Sequence, residues 1–95
     1  MAKKATRTAG SWKHSGRVAW RKVADEAVIL DVETAVYYSL SGAGLRMWEL
    51  LGEGRTPAQI AALLAAEYDA DEGRLRADCA GLAAELRREG LVERA

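Results

Sequence analysis

Apolar and polar positions along this chain change their period twice. Residues 17–23 (RVAWRKV) alternate, with Val18, Trp20 and Lys22 on one side and Arg17, Ala19, Arg21 and Val23 on the other. A period of two is that of a strand with one half-buried face. Ala24 and Asp25 follow as a turn, and residues 26–32 are then almost continuously apolar. That is the pattern of a central strand covered on both sides or flanked by neighbours. Asp31, Val32, Glu33 and Thr34 form a polar corner without glycine, so the turn type is not readable. Residues 35–40 make a third extended run, in which Tyr37 and Tyr38 point to opposite faces.

From Leu45 the period lengthens to that of a helix. Leu45, Trp48 and Leu51, with Met47 and Leu50 beside them, form a buried stripe. Ser41 is the expected cap of this helix, Gly42 and Gly44 weaken its first turn, and residues 52–55 end it. Thr56-Pro57-Ala58-Gln59 is the clearest local signal. Thr56 sits at the N-cap, Pro57 at the first helical position where its missing N–H costs nothing, and Gln59 completes a capping box. This second helix is expected to run to about Tyr68, with Ile60, Leu63, Leu64 and Tyr68 inward. A third helix is expected from residue 71 or 72 to 89, with Leu75, Cys79, Leu82 and Leu86 as its stripe and Gly90 at its C-terminal cap. Leu91 and Val92 then fold back on the core. The expectation is one α+β domain over residues 17–95, a three-stranded antiparallel sheet followed by three helices.

Composition narrows what such a domain can do. Its 95 residues suffice for one small core. No apolar run approaches membrane-spanning length, and no apolar block follows the basic N-terminus as a secretory signal requires. Residues 1–24 hold seven basic residues and no acid, whereas residues 25–95 hold seven basic residues against fourteen acids, a balance of −7. A basic arm on an acidic body reads better as a solubilising tail than as a nucleic-acid arm, because the body repels phosphate. Residues 1–16 are rich in Lys, Thr, Gly and Ser with Trp12 as the only large apolar residue of the stretch's interior, and are expected to be a disordered basic tail, with His14 solvated in it. A single cysteine, Cys79, fits a reducing, cytoplasmic setting and is expected as an inert thiol on a helix stripe.

No nucleophile elbow, phosphate loop, dinucleotide fingerprint or metal-ligand cluster occurs, so the chain reads as a binding module without cofactor or metal and not as an enzyme. The third strand supplies a motive for binding. It is entered from a hairpin and left directly into a helix, so it is an expected sheet edge, and residues 35–40 carry no Lys, Pro or charge. An unblunted edge is either covered, used for self-association through a swapped dimer, or offered to a peptide that adds as a strand.

Several stretches, in order and spacing, resemble the PqqD-like family, also called RiPP recognition elements. They are ILDVETAVYYSLS (residues 29–41), the WELL that begins at Trp48, RTPAQI (55–60), the AEYD around Tyr68 and DCAGLAAELRREGL (78–91). The resemblance covers about residues 17–92. It implies a small winged-helix-like domain that binds the leader segment of a ribosomally made precursor peptide and presents it to a modifying enzyme. That partner is a radical S-adenosylmethionine enzyme or a leader peptidase. The resemblance also implies that the leader adds to the third strand, at Val36, Tyr37, Tyr38, Ser39 and Leu40. The opposite wall is implied to be the third helix at Leu75, Arg76, Asp78, Cys79 and Leu82. Ser41 stands where many members have Asn, Ala35 where Gly is common and Cys79 where Val is common. The alternative from another class is a winged-helix DNA-binding regulator. Against it, the second and third helices carry Glu67, Asp69, Asp71, Glu72, Asp78, Glu85 and Glu89, where a reading helix wants Arg, Lys, Asn or Gln.

Overall fold

The computed structural model describes residues 11–95. Its elements are β1 (Trp12–His14), β2 (Val18–Val23), β3 (Glu26–Asp31), β4 (Val36–Ser41), α1 (Ala43–Gly52), α2 (Pro57–Tyr68), α3 (Glu72–Arg88) and β5 (Val92–Arg94). Strands β2, β3 and β4 form an antiparallel sheet in that order, and the three helices follow it, as the periodicity predicts. β3 is central, and its side chains alternate. Ala27, Ile29 and Asp31 are buried against the helices, while Val28 and Leu30 are half-buried on the outer face.

The corner between β3 and β4 is built on Asp31. Its carboxylate is almost fully buried, at 1% exposure. Oδ1 accepts the N–H groups of Glu33 (3.0 Å) and Thr34 (3.3 Å), which replaces the missing glycine chemistry with an Asx turn. Oδ2 pairs with Arg17 Nη2 at 2.8 Å, and the turn closes with the Ala35 N–H donating to the Asp31 carbonyl at 2.8 Å. Burial alone raises the Asp31 pKa. The two backbone N–H groups and the Arg17 guanidinium outweigh it and hold the carboxyl below its ordinary value.

Helix α1 drives the core. Trp48 and Leu51 are fully buried and share one core with Ile29 of the sheet, Ile60 and Leu64 of α2, Cys79 of α3 and Leu91. The Thr56 capping box forms as its sequence requires, Thr56 Oγ1 accepting from Gln59 N (3.1 Å) and Gln59 Oε1 from Thr56 N (3.0 Å). Asp71 caps α3 by accepting the Arg74 N–H at 2.9 Å. Gly90 ends that helix at φ 79°, with the Arg17 guanidinium lying where a Cβ would stand, so only glycine fits both demands.

Three sequence expectations need correction. Ser41 does not cap α1: it remains in β4 opposite Glu26, and Gly42 (φ 57°) takes the N-cap position without a side-chain hydrogen bond. Tyr68 is 51% exposed, because α2 runs past the edge of the core before its left-handed end at Asp69. The third concerns residues 11–16, placed in the tail from composition. Trp12–His14 pair antiparallel with Val92–Arg94, which makes a second sheet of two strands. Trp12 is 6% exposed, so one large side chain offsets the ordering of this short segment. His14 is half-buried instead of solvated. Its ring stacks on Trp48 at 3.7 Å and its Nε2 lies 2.8 Å from the Trp48 carbonyl oxygen. Burial lowers its pKa, and the backbone hydrogen bond only partly offsets this. Residues 1–10 of the expected tail lie outside the described residues.

Candidate binding groove

β4 is an edge of the sheet, and α3 stands off from it. The gap is a groove of about 270 Å³. Tyr38, Ser39 and Leu40 form its strand wall, Leu82, Glu85, Leu86, Arg88 and Glu89 its helix wall, and Leu91 closes it. The alternation of β4 decides which side chains enter. Tyr38 and Leu40 share the helix-facing side with Val36, whereas Tyr37, 67% exposed, points to the outer face of the sheet. Leu40 and Leu82 are only partly buried and give the groove apolar surface, next to the buried Leu86 and Leu91.

Polar contacts fix the middle of the strand on both faces. Tyr38 Oη donates to Glu89 Oε1 at 3.0 Å across the groove mouth. Partial burial, then the hydrogen bond and negative charge of Glu89, raise the Tyr38 pKa and keep the phenol protonated. Arg17 Nη2 donates to the Glu89 carbonyl at 3.3 Å, so one guanidinium joins the Asp31 corner to the end of α3. Ser39 Oγ donates to Glu26 Oε1 at 2.7 Å on the outer face.

The ten residues that the resemblance singles out separate clearly in space. Tyr38, Leu40 and Leu82 line the groove, and Ser39 borders it with its side chain turned to the outer face. Val36 is exposed at the start of the edge strand, and Tyr37 belongs to that strand but faces away from α3. Asp78 is exposed one turn before Leu82 on the same side of α3, and Arg76 is exposed on another side. Leu75 and Cys79 are core residues at 9% and 0% exposure, packed under α1 instead of facing the groove. Burial pushes the Cys79 thiol up to about 11, which makes it an inert apolar filler. Sequence reasoning missed Glu85, Arg88 and Glu89. Their signal was helical spacing from Leu82 toward the C-terminus of α3, where the groove is open. Among the described residues, no His, Cys, Asp or Glu group has the arrangement of a metal site.

The domain is thus a sheet with one charge-free edge, an apolar groove beside it and a helix as the far wall. The chain belongs to the PqqD family: residues 26–92 match the family model for coenzyme PQQ synthesis protein D. Among solved structures it is similar to TbiB1 in complex with the TbiA(beta) leader peptide. Identity is 33% over 85% of this chain and 94% of that one, with a TM-score of 0.79. It also shares its fold with a lasso peptide synthetase B1 complexed with the leader peptide, at 22% identity, 87% and 98% coverage and a TM-score of 0.80. No curated protein matches the chain.

Proposed function

We propose that this protein is a non-catalytic binder of a leader peptide, which it receives as an added strand along β4 and presents to a processing enzyme. The observation that carries this reading is the pairing of an unblunted edge with a groove of its own. β4 carries no charge from Val36 to Ser41, and α3 leaves room beside it. The main chain of an added strand satisfies the open edge, and its alternate side chains reach Leu40 and Leu82. TbiB1, one-third identical in sequence, is solved with a leader peptide, which supports the same class of ligand here. The recipient enzyme is a radical S-adenosylmethionine enzyme or a leader peptidase. The encounter with a newly made precursor is placed in the cytoplasm; no helix among the described residues is long and apolar enough to cross a membrane.

Isothermal titration and amide NMR with the leader of the precursor peptide encoded beside this protein test the reading. The expected result is one-to-one binding, micromolar or tighter, with the largest shifts at residues 36–41 and 82–89. Absence of heat together with unmoved β4 amides overturns it.

A further inference from the structure

Helix α3 has a second concavity on its other side. It is about 670 Å³ and lies among Trp12 of β1, Pro57 at the start of α2, Ala80, Ala83 and Ala84 of α3, and three arginines, Arg87, Arg88 and Arg94. Groove and concavity open on different sides of the helix, with Arg88 on the ridge between them and bordering both. Leu82, Leu86 and Glu89 share one side, whereas Ala80, Ala84 and Arg87 lie roughly 150° away at about 100° per residue.

The charge of this concavity is unusual for the molecule. Residues 25–95 hold only seven basic residues against fourteen acids, and three of the seven meet here. The Arg94 guanidinium lies 4.7 Å from the centre of the Trp12 ring, and that of Arg87 lies 5.8 Å from it. Among the described residues neither has a carboxylate within ion-pair distance, and residues 1–10 contain no acid that could supply one. Arg88 alone reaches an acid, Glu85 at 3.9 Å, through an exposed contact. Arg87 and Arg88 also sit in the last turn of α3, where cations complement the helix carbonyls. That ordinary role does not account for Arg94, which arrives from β5, nor for the alanine floor between them.

We propose that this concavity docks an acidic, apolar-flanked segment of the protein partner to which the leader is presented. Guanidinium forks gathered beside an aromatic ring suit carboxylates, and the alanines leave room for a small apolar side chain. All fourteen acids lie in residues 25–95, around this concavity, and the other exposed basic patch, Arg21 and Lys22 on β2, lacks its alanine floor, so charge and shape together steer the segment here. Because the site occupies the other side of α3, leader and partner are held together without competing. This inference rests on the leader-binding reading for the identity of the partner, but its test reads separate residues.

The probe is a synthetic dodecapeptide alternating Glu and Leu, titrated into the full chain and followed by amide and indole NMR. A peptide with Lys for every Glu and a short DNA duplex serve as controls. The expected result is saturable shifts at Trp12, Ala84, Arg87 and Arg94, absent with the Lys peptide and weakened by salt. The double variant Arg87→Gln/Arg94→Gln is expected to weaken binding at least about tenfold. Its leader titration at Tyr38 and Leu40 is expected to stay unchanged, which shows that the fold is intact. Shifts spread equally over Lys13, Arg21 and Lys22, or no shifts, overturn the proposal. The same shifts with duplex DNA also overturn it, in favour of a phosphate site. Acidic-peptide binding in a protein that ignores the leader supports this site and overturns only the leader reading.

Discussion

The three-stranded sheet has two edges, β2 and β4, and they are not equivalent. β2 carries Arg21 and Lys22 in mid-strand, and its Trp20 closes edge-to-face on His14 and Trp48 at 5.8 and 5.9 Å. β4 carries no charge and runs beside a helix that leaves a groove. Both strands pair with β3 over six residues, so backbone pairing does not distinguish them. The difference lies in side chains and in what stands alongside. An edge is blunted by charges placed on it and becomes a receptor when a second wall gives the guest's side chains somewhere to go.

The comparison can be broken or sharpened in several ways. The largest effect is expected from Trp48→Ala, which removes the side chain against which both edges are organised. Urea denaturation is expected to show a loss of about 3–5 kcal/mol, and leader binding falls with the folded population. Leu82→Glu attacks only the β4 side. With a charge on the groove wall, calorimetry is expected to show leader affinity reduced about 100-fold, or roughly 2.7 kcal/mol, with an unchanged circular dichroism spectrum.

Asp31→Asn acts at the corner that joins the two edges, since Asp31 holds Arg17 before β2 and the turn before β4. The folded-state pKa of Asp31 lies below its ordinary value. Its contribution is therefore complete above about pH 4 and is lost as pH falls through the folded value. Thermal melts of the wild type between pH 2 and 6 are expected to show that loss, and the Asn variant to start lower and respond less. Tyr38→Phe removes the hydrogen bond to Glu89 at the groove mouth and is expected to change leader affinity less than about threefold. Smallest of all, Val23→Glu adds a charge to the already charged β2 edge and is expected to leave leader affinity within about twofold. A large effect there places the guest on the wrong edge.

Much of this was legible in the sequence, and the rest was not for local reasons. The three strands, the α1 stripe and the Thr56 capping box are written in short-range periodicity and capping chemistry. The edge status of β4 followed from its position between a hairpin and a helix. Asp31 reads locally as a turn residue; its burial depends on Arg17, fourteen positions earlier. Strands β1 and β5 are three residues each and stabilise one another across almost the whole chain, so neither has a pattern of its own. On α3, Leu75, Cys79, Leu82 and Leu86 form one stripe, and no periodicity tells which of them meets the core and which meets a groove. That division is set by how far α3 stands from β4, a tertiary distance.

The β1–β5 ribbon also has an architectural consequence. Trp12 pairs with Arg94, and the Ala95 N–H donates to the Ser11 carbonyl at 3.2 Å, so the described chain closes into a ring. A few flexible residues joining the two ends, with a new opening in the exposed loop around Glu53, therefore make a circular permutant that keeps every element intact. The same geometry means that an enzyme joined directly at Ser11 or at Ala95 leaves from one common point. Such a fusion holds the β4 groove at a fixed reach from the enzyme whichever end carries the tether, and two permuted fusions with equal linkers are expected to process a leader-bearing substrate alike.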